Sequence, residues 1–125
     1  DRHAQQLAEK EHAADTVGGL PVVSQTGTQA VRAILFDLMR RESANRSAKF
    51  REHLIRALAS RIKMSRSPRR SAAFKVLKQL TTPAVLIELG YMSNASDRDL
   101  MQTADWQRQV AKGIAAAIRA HLATR

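Results

Sequence analysis

The sequence predicts an α/β fold, present only in its C-terminal portion, and three observations carry that expectation. Helical spacing of apolar residues covers most of the chain. Two short apolar runs, Ala73–Leu77 and Ala84–Leu89, interrupt it. The second of these (AVLIEL) follows Thr82-Pro83 and ends at Gly90, as a strand buried on both faces would. Two strands are too few to make a stable sheet alone. The pattern therefore implies further strands ahead of residue 1, with residues 1–125 as one incomplete domain.

The elements follow in order. Arg2–Asp15 reads as a helix on Ala4, Leu7, Ala8, Glu11 and Ala14, and Gly18-Gly19 with Pro21 ends it. Leu20–Thr28 reads as a loop. Gln29–Arg41 is a second helix whose broad apolar face carries Val31, Ile34, Leu35, Leu38 and Met39. Ser43–Asn45 is expected to break it before a third helix, Ser47–Ile62, with Phe50, Leu54, Ala57, Leu58 and Ile62 inward. A basic loop around Pro68 and the two strands come next. Ser96, with Asp99 three residues later, predicts the cap of a short Asp97–Gln102 helix. Thr103 is expected to cap the last helix, where Trp106, Val110, Ile114, Ala117, Ile118 and His121 share a face.

Composition narrows the chemistry. The 125 residues hold 21 Lys and Arg against 11 Asp and Glu, a formal net charge of +10. Thirteen of the basic residues fall between Arg40 and Lys78, opposed only by Glu42 and Glu52. Such a segment suits an anionic partner: nucleic acid, acidic lipid or an acidic envelope polymer. Nucleic acid is disfavoured, because aromatic residues are 4% of the chain and Phe50 and Phe74 fit buried faces. The absence of cysteine excludes disulfides, thiol catalysis and Cys-ligated zinc. No apolar run reaches the roughly 20 residues of a membrane span. The chain starts at Asp1 without a signal peptide, so it reads as a processed chain or fragment.

Glu88 is the most informative side chain. Burying an ionised carboxylate inside an apolar strand costs several kcal/mol unless something compensates. Two readings stand: a structural partner for an arginine, or a general base at the C-terminal end of a buried strand, where open α/β sheets place their sites. His3, His12, His53 and His121 have no metal-binding spacing and read as surface or interface residues. Ser93 and Ser96 lack the glycine context of a hydrolase nucleophile.

Taken whole, Phe74–Leu122 resembles the C-terminal part of the zinc-dependent N-acetylmuramoyl-L-alanine amidases, which hydrolyse bacterial peptidoglycan. Val76-Leu77-Lys78 matches one family strand. Pro83, Val85, Leu86, Glu88, Gly90, Tyr91, Ser93 and Asn94 match a family motif of strand and turn, with Tyr91 where phenylalanine is usual. Asp97, Ala111, Ile114, Ala115 and Ile118 match the helices that follow. Upstream, Leu7–Asp15 with Gly18-Gly19 resembles a family helix, His12 standing where asparagine is usual. Ile34–Arg41 and Ser47 resemble the division-associated periplasmic branch. Ser65 and Ser71 depart from close relatives, which carry histidine and glutamine there.

The resemblance implies a twisted, mostly parallel sheet flanked by helices, and one catalytic zinc. It implies attack of a metal-bound water on the amide between N-acetylmuramic acid and L-alanine of the stem peptide, with Glu88 as general acid/base. The family's zinc ligands lie in motifs that precede this region, and none of those motifs occurs here. The resemblance further implies peptidoglycan as partner, a periplasmic setting, and an autoinhibitory segment at residues 18–43 displaced by an activator protein of the division machinery. The competing reading is a non-catalytic envelope-binding or regulatory module that holds an anionic polymer through Arg40–Arg70. The 125-residue chain alone is expected to retain no stoichiometric zinc after dialysis and to release no stem peptide from purified peptidoglycan. One zinc per chain by metal analysis contradicts this, since a catalytic zinc needs three protein ligands.

Overall fold

The computed structural model of the chain describes residue 5 and residues 28–74, 77–78 and 80–124. The expected helix Arg2–Asp15 and the loop after it lie outside these residues, apart from Gln5. The described regular structure comprises helices α1 (Thr28–Ala59), α2 (Ala95–Met101) and α3 (Ala104–Ala123). None of the described helices is long and apolar enough to cross a membrane.

The predicted sheet is absent from the described residues. Pro83–Gly90 has no regular structure, and Ala73, Phe74 and Leu77 lie in irregular chain or a short turn. Residues 75 and 76, in the middle of the first expected strand, lie outside the description. An apolar run becomes a strand only when neighbouring strands complete its ladder. No described segment does so for Ala84–Leu89. Instead Leu86 and Leu89 are 46% and 44% exposed. Over the described residues, the α/β assignment and the twisted parallel sheet are thus corrected to helices joined by chain without regular structure.

Two predicted helices are one. Ser43–Asn45 does not interrupt α1, because serine and asparagine cost a helix only tenths of a kcal/mol and neither glycine nor proline intervenes. At about 1.5 Å per residue, its 32 residues extend over roughly 48 Å. It ends at Ala59, with Ser60 Oγ and Arg61 Nη1 donating to the Ala57 carbonyl at 3.1 and 2.7 Å. These bonds satisfy a C-terminal carbonyl without a glycine cap.

The chain divides into two compact units, and α1 contributes to both. The first comprises residues 1–47 and 70–84. Here Ser43, expected to break the helix, and Ser47, expected to begin the next, act as tethers. Buried Ser43 donates from Oγ to the Thr82 carbonyl at 3.3 Å. Ser47 Oγ donates back to the Ser43 carbonyl at 2.8 Å and accepts from the Ala84 amide at 3.0 Å. Phe74 is buried. The predicted apolar face of Gln29–Arg41 is not core: Val31, Ile34, Leu35, Phe36, Leu38 and Met39 are all between 41% and 61% exposed.

The second unit comprises residues 48–69 and 85–125. Its buried apolar side chains are Leu54 and Leu58 of α1 and Val110 and Ala117 of α3. Gly113 joins that buried stripe, which is turned from the predicted face toward residues 110, 113 and 117; Ile118 is 42% exposed. Thr103 takes the extended cap conformation before α3, but its side chain makes no bond to that helix. Its Oγ1 donates to the Leu100 carbonyl at 2.8 Å, closing α2 instead. His121 stacks against Phe50 with ring centroids 4.9 Å apart, and the His53 ring lies 6.0 Å away edge-on.

Gly113 controls how closely α1 and α3 approach. A Cβ there would stand 2.7 Å from Leu58 Cδ2 and 3.5 Å from the Ala57 carbonyl oxygen. Leu58, 4% exposed, has little room to yield. Gly113→Val should therefore cost about 1–3 kcal/mol through overpacking, seen as a fall in melting temperature. Combined with Leu58→Ala, which vacates the contested space, Gly113→Ala should instead stabilise by up to about 1 kcal/mol, the helix-propensity difference between the residues. Destabilisation by Gly113→Ala in that background would show that the Leu58 contact is not what limits the position.

Candidate functional site

The segment carrying Glu88 runs into a turn bound tightly to α2. The Asn94 amide donates to the Tyr91 carbonyl at 3.0 Å, closing residues 91–94 into a β-turn. Asn94 then caps α2, its Oδ1 accepting from the Asp97 amide at 3.1 Å. The predicted cap, Ser96, is already inside the helix. Both registers place an Asx or Ser three residues before an Asp, so local sequence fits either. What favours Asn94 is a bond at longer range. Asp97 Oδ2 accepts from the Tyr91 amide at 3.1 Å. Arg98 Nη1 donates to the Met92 carbonyl at 3.2 Å.

Gly90 is required by the same contact. A Cβ on it would meet Asp97 Cβ and Met101 Sδ, each at 3.3 Å. Its role is close approach of α2, and not the strand ending first expected of it. Gln107 Nε2 completes the arrangement from α3, donating to the Met101 carbonyl at 2.9 Å.

Glu88 lies three residues before Tyr91, the first residue of this turn, and is exposed. The premise of a buried carboxylate is overturned, because the run around it is unpaired chain and not an interior strand. Among the described residues no cation forms an ion pair with it. The structural reading, a buried Glu88 held by an arginine, loses its basis. An exposed carboxylate retains free lone pairs that can accept a proton from a substrate or a water.

The basic segment is partly engaged with the fold. Arg69 binds Glu52 in bidentate fashion, Nε to Oε1 at 2.8 Å and Nη2 to Oε2 at 2.7 Å. Arg51 Nε stands 3.7 Å from the same carboxylate. Arg41 pairs with Asp37 one turn away at 3.0 Å. With Arg61 capping α1, the arginines at both ends of the 61–69 loop are anchored on that helix.

No group of three His, Cys, Asp or Glu side chains among the described residues could hold a metal ion. The described residues therefore do not fit a zinc site. His3 and His12 lie outside them. His53 and His121 are part of the aromatic contact between α1 and α3.

Comparison with known proteins bears on this arrangement. Residues 5–120 match the family described as N-acetylmuramoyl-L-alanine amidase. N-acetylmuramoyl-L-alanine amidase AmiC of Escherichia coli O6:H1 is 32% identical over 120 residues, covering 96% of the chain and 28% of the relative. N-acetylmuramoyl-L-alanine amidase AmiA of Escherichia coli K12 is 29% identical over 112 residues, covering 90% of the chain and 38% of the relative. The probable cell wall amidase LytH of Staphylococcus saprophyticus is 34% identical over 70 residues, 56% of the chain and 24% of the relative. The chain thus spans between a quarter and two fifths of the length of these relatives. No solved structure matches it.

The paired geometry of Glu52 has a measurable consequence. The Arg69 guanidinium, donating to its carboxylate, holds the Glu52 pKa below the ordinary glutamate range. A depressed carboxylate stabilises the fold above its unfolded pKa, and that contribution is lost as pH falls through the folded one. In a carbon-13 titration, Glu52 should titrate below the ordinary glutamate range. Arg69→Ala should return it toward the ordinary range and remove the matching acid-side change in melting temperature.

Proposed function

This chain belongs to the N-acetylmuramoyl-L-alanine amidase family, and from that premise we propose that it is the C-terminal part of a peptidoglycan amidase catalytic domain. The substrate is the amide between the lactyl group of N-acetylmuramic acid and L-alanine of the stem peptide. The reaction is hydrolysis at the cell wall, in the periplasm. The match over residues 5–120 carries this reading, because it includes both the Glu88 segment and the turn and helices that hold it.

In the proposed mechanism Glu88 is the general acid/base. Its carboxylate takes a proton from the attacking water as oxygen bonds to the lactyl carbonyl carbon. It then returns that proton to the alanine nitrogen as the carbon–nitrogen bond breaks, leaving a carboxylate and a free amine. Exposure supports the assignment, since a large polymeric substrate has to reach the group. A zinc held by residues outside those described would supply polarisation of the carbonyl and a more acidic water. The exposed apolar face of α1 before Ser43 supports residues 18–43 as a regulatory segment that covers the site until an activator protein displaces it.

Glu88→Gln in the complete enzyme tests the central assignment. The amide keeps the shape and removes the proton acceptor, so kcat on muropeptides should fall about 10²–10⁴-fold. Glu88 is exposed and has no ion pair among the described residues, so the change in stability should stay within about 0.5 kcal/mol. Near-normal turnover at full zinc content excludes Glu88 as the acid/base.

A further inference from the structure

We infer that Asp97 is a positioning residue for the Glu88 carboxylate, acting by fastening the chain just after Glu88 to helix α2. The inference rests on Glu88 being the acid/base. Segment 85–89 makes no sheet or helix of its own, so its path depends on what holds the residues that flank it, and on the Glu88 side those are the residues of the turn. Those residues are bound to α2 at three points: the Tyr91 amide on Asp97 Oδ2, the Met92 carbonyl on Arg98, and Asn94 on the Asp97 amide.

Asp97 is the hub of the three. It takes part in two of the bonds, with its backbone fixed by Asn94 and its carboxylate by Tyr91. The Tyr91 bond is charge-assisted, the stronger kind of backbone contact. A Cβ on Gly90 would stand only 3.3 Å from Asp97 Cβ and Met101 Sδ, so α2 lies close against the chain just after Glu88. Asp97 is six residues distant from Tyr91 in sequence and contributes nothing to proton transfer itself. Its effect is to hold the backbone from which Glu88 projects. Misplacement of a reacting group by about 1 Å can cost on the order of 10²-fold in rate.

The test compares variants of the complete zinc-loaded enzyme on muropeptides, reading kcat and KM separately. Asp97→Ala should lower kcat at least tenfold while leaving KM and zinc content within about twofold. Asp97→Asn retains an oxygen for the Tyr91 amide and should recover most of that loss. Gly90→Ala pushes on the same contact from the other side and should lower kcat as well. It serves as the second probe should Asp97→Ala fold poorly. The decisive comparison is in the Glu88→Gln background, read as slow residual turnover over long incubation. There, Asp97→Ala and Gly90→Ala should each cost less than twofold, since no proton acceptor is left to misplace. Equal losses in both backgrounds, or no rescue by asparagine, overturn the positioning role while Glu88 stands. Full turnover by Glu88→Gln alone overturns the acid/base reading and this inference with it.

Discussion

The contact between Leu58 and Gly113 is the constraint on which the second unit depends. Helices with ordinary side chains at their contact lie 8–10 Å apart, and Gly113 and Ala117 allow α3 to come close to α1 where Leu54 and Leu58 project. Few side chains in this unit are fully buried, so each matters more than in a larger core. Val110 and Ala117 lie one helical turn to either side of Gly113 and share its burial. The ring stack of Phe50 on His121 extends the same seam toward the end of α3. Anything that widened the approach at Gly113 would loosen these contacts together.

Electrostatics shapes the loop that follows α1. A run with so many cations would be expected to repel itself into solvent. Instead Glu52 holds Arg69 with two charge-assisted bonds, and Arg61 turns back to its own helix's last carbonyls. The mutual effect is visible on both partners: Arg69 lowers the Glu52 pKa, and the Glu52 carboxylate raises that of Arg69. The pair is open to solvent, so its value lies in fixing a direction for the loop more than in stability. Lys63 and Arg66 stay exposed between the two anchors.

The candidate site depends on short-range chemistry of a different kind. Helix α2 has only seven residues and buries none of its own side chains. It is held by polar bonds at both ends, to residues 91–94 at its start and to Thr103 and Gln107 at its finish. A short helix assembled this way converts side-chain hydrogen bonds into a fixed position for the chain beside it. That chain carries Glu88, whose carboxylate is exposed.

Much of this was legible in the residues themselves. Helical spacing marked α1 from Gln29 and α3 from just after Thr103, and the spacing of Ser96 and Asp99 marked the start of α2 within two residues. Family membership, too, was legible, because motifs such as Pro83 to Asn94 keep their spacing whatever surrounds them. What failed was everything that depends on a partner distant in sequence. The run Ala84–Leu89 has the composition of an interior strand, but a strand exists only through its ladder, and no described segment supplies one. The same gap left Glu88 exposed where composition implied burial. Ser43 read locally as a helix breaker and Ser47 as the start of the next helix, and both became tethers once Thr82 and Ala84 came within reach. Sequence by itself determined where helices can form and which family motifs are kept, since both rest on neighbours a few residues apart. Tertiary structure alone decided which faces are buried, why Gly90 and Gly113 must be glycine, and how Asp97 reaches Tyr91, because each depends on a contact between separate elements that local pattern does not encode.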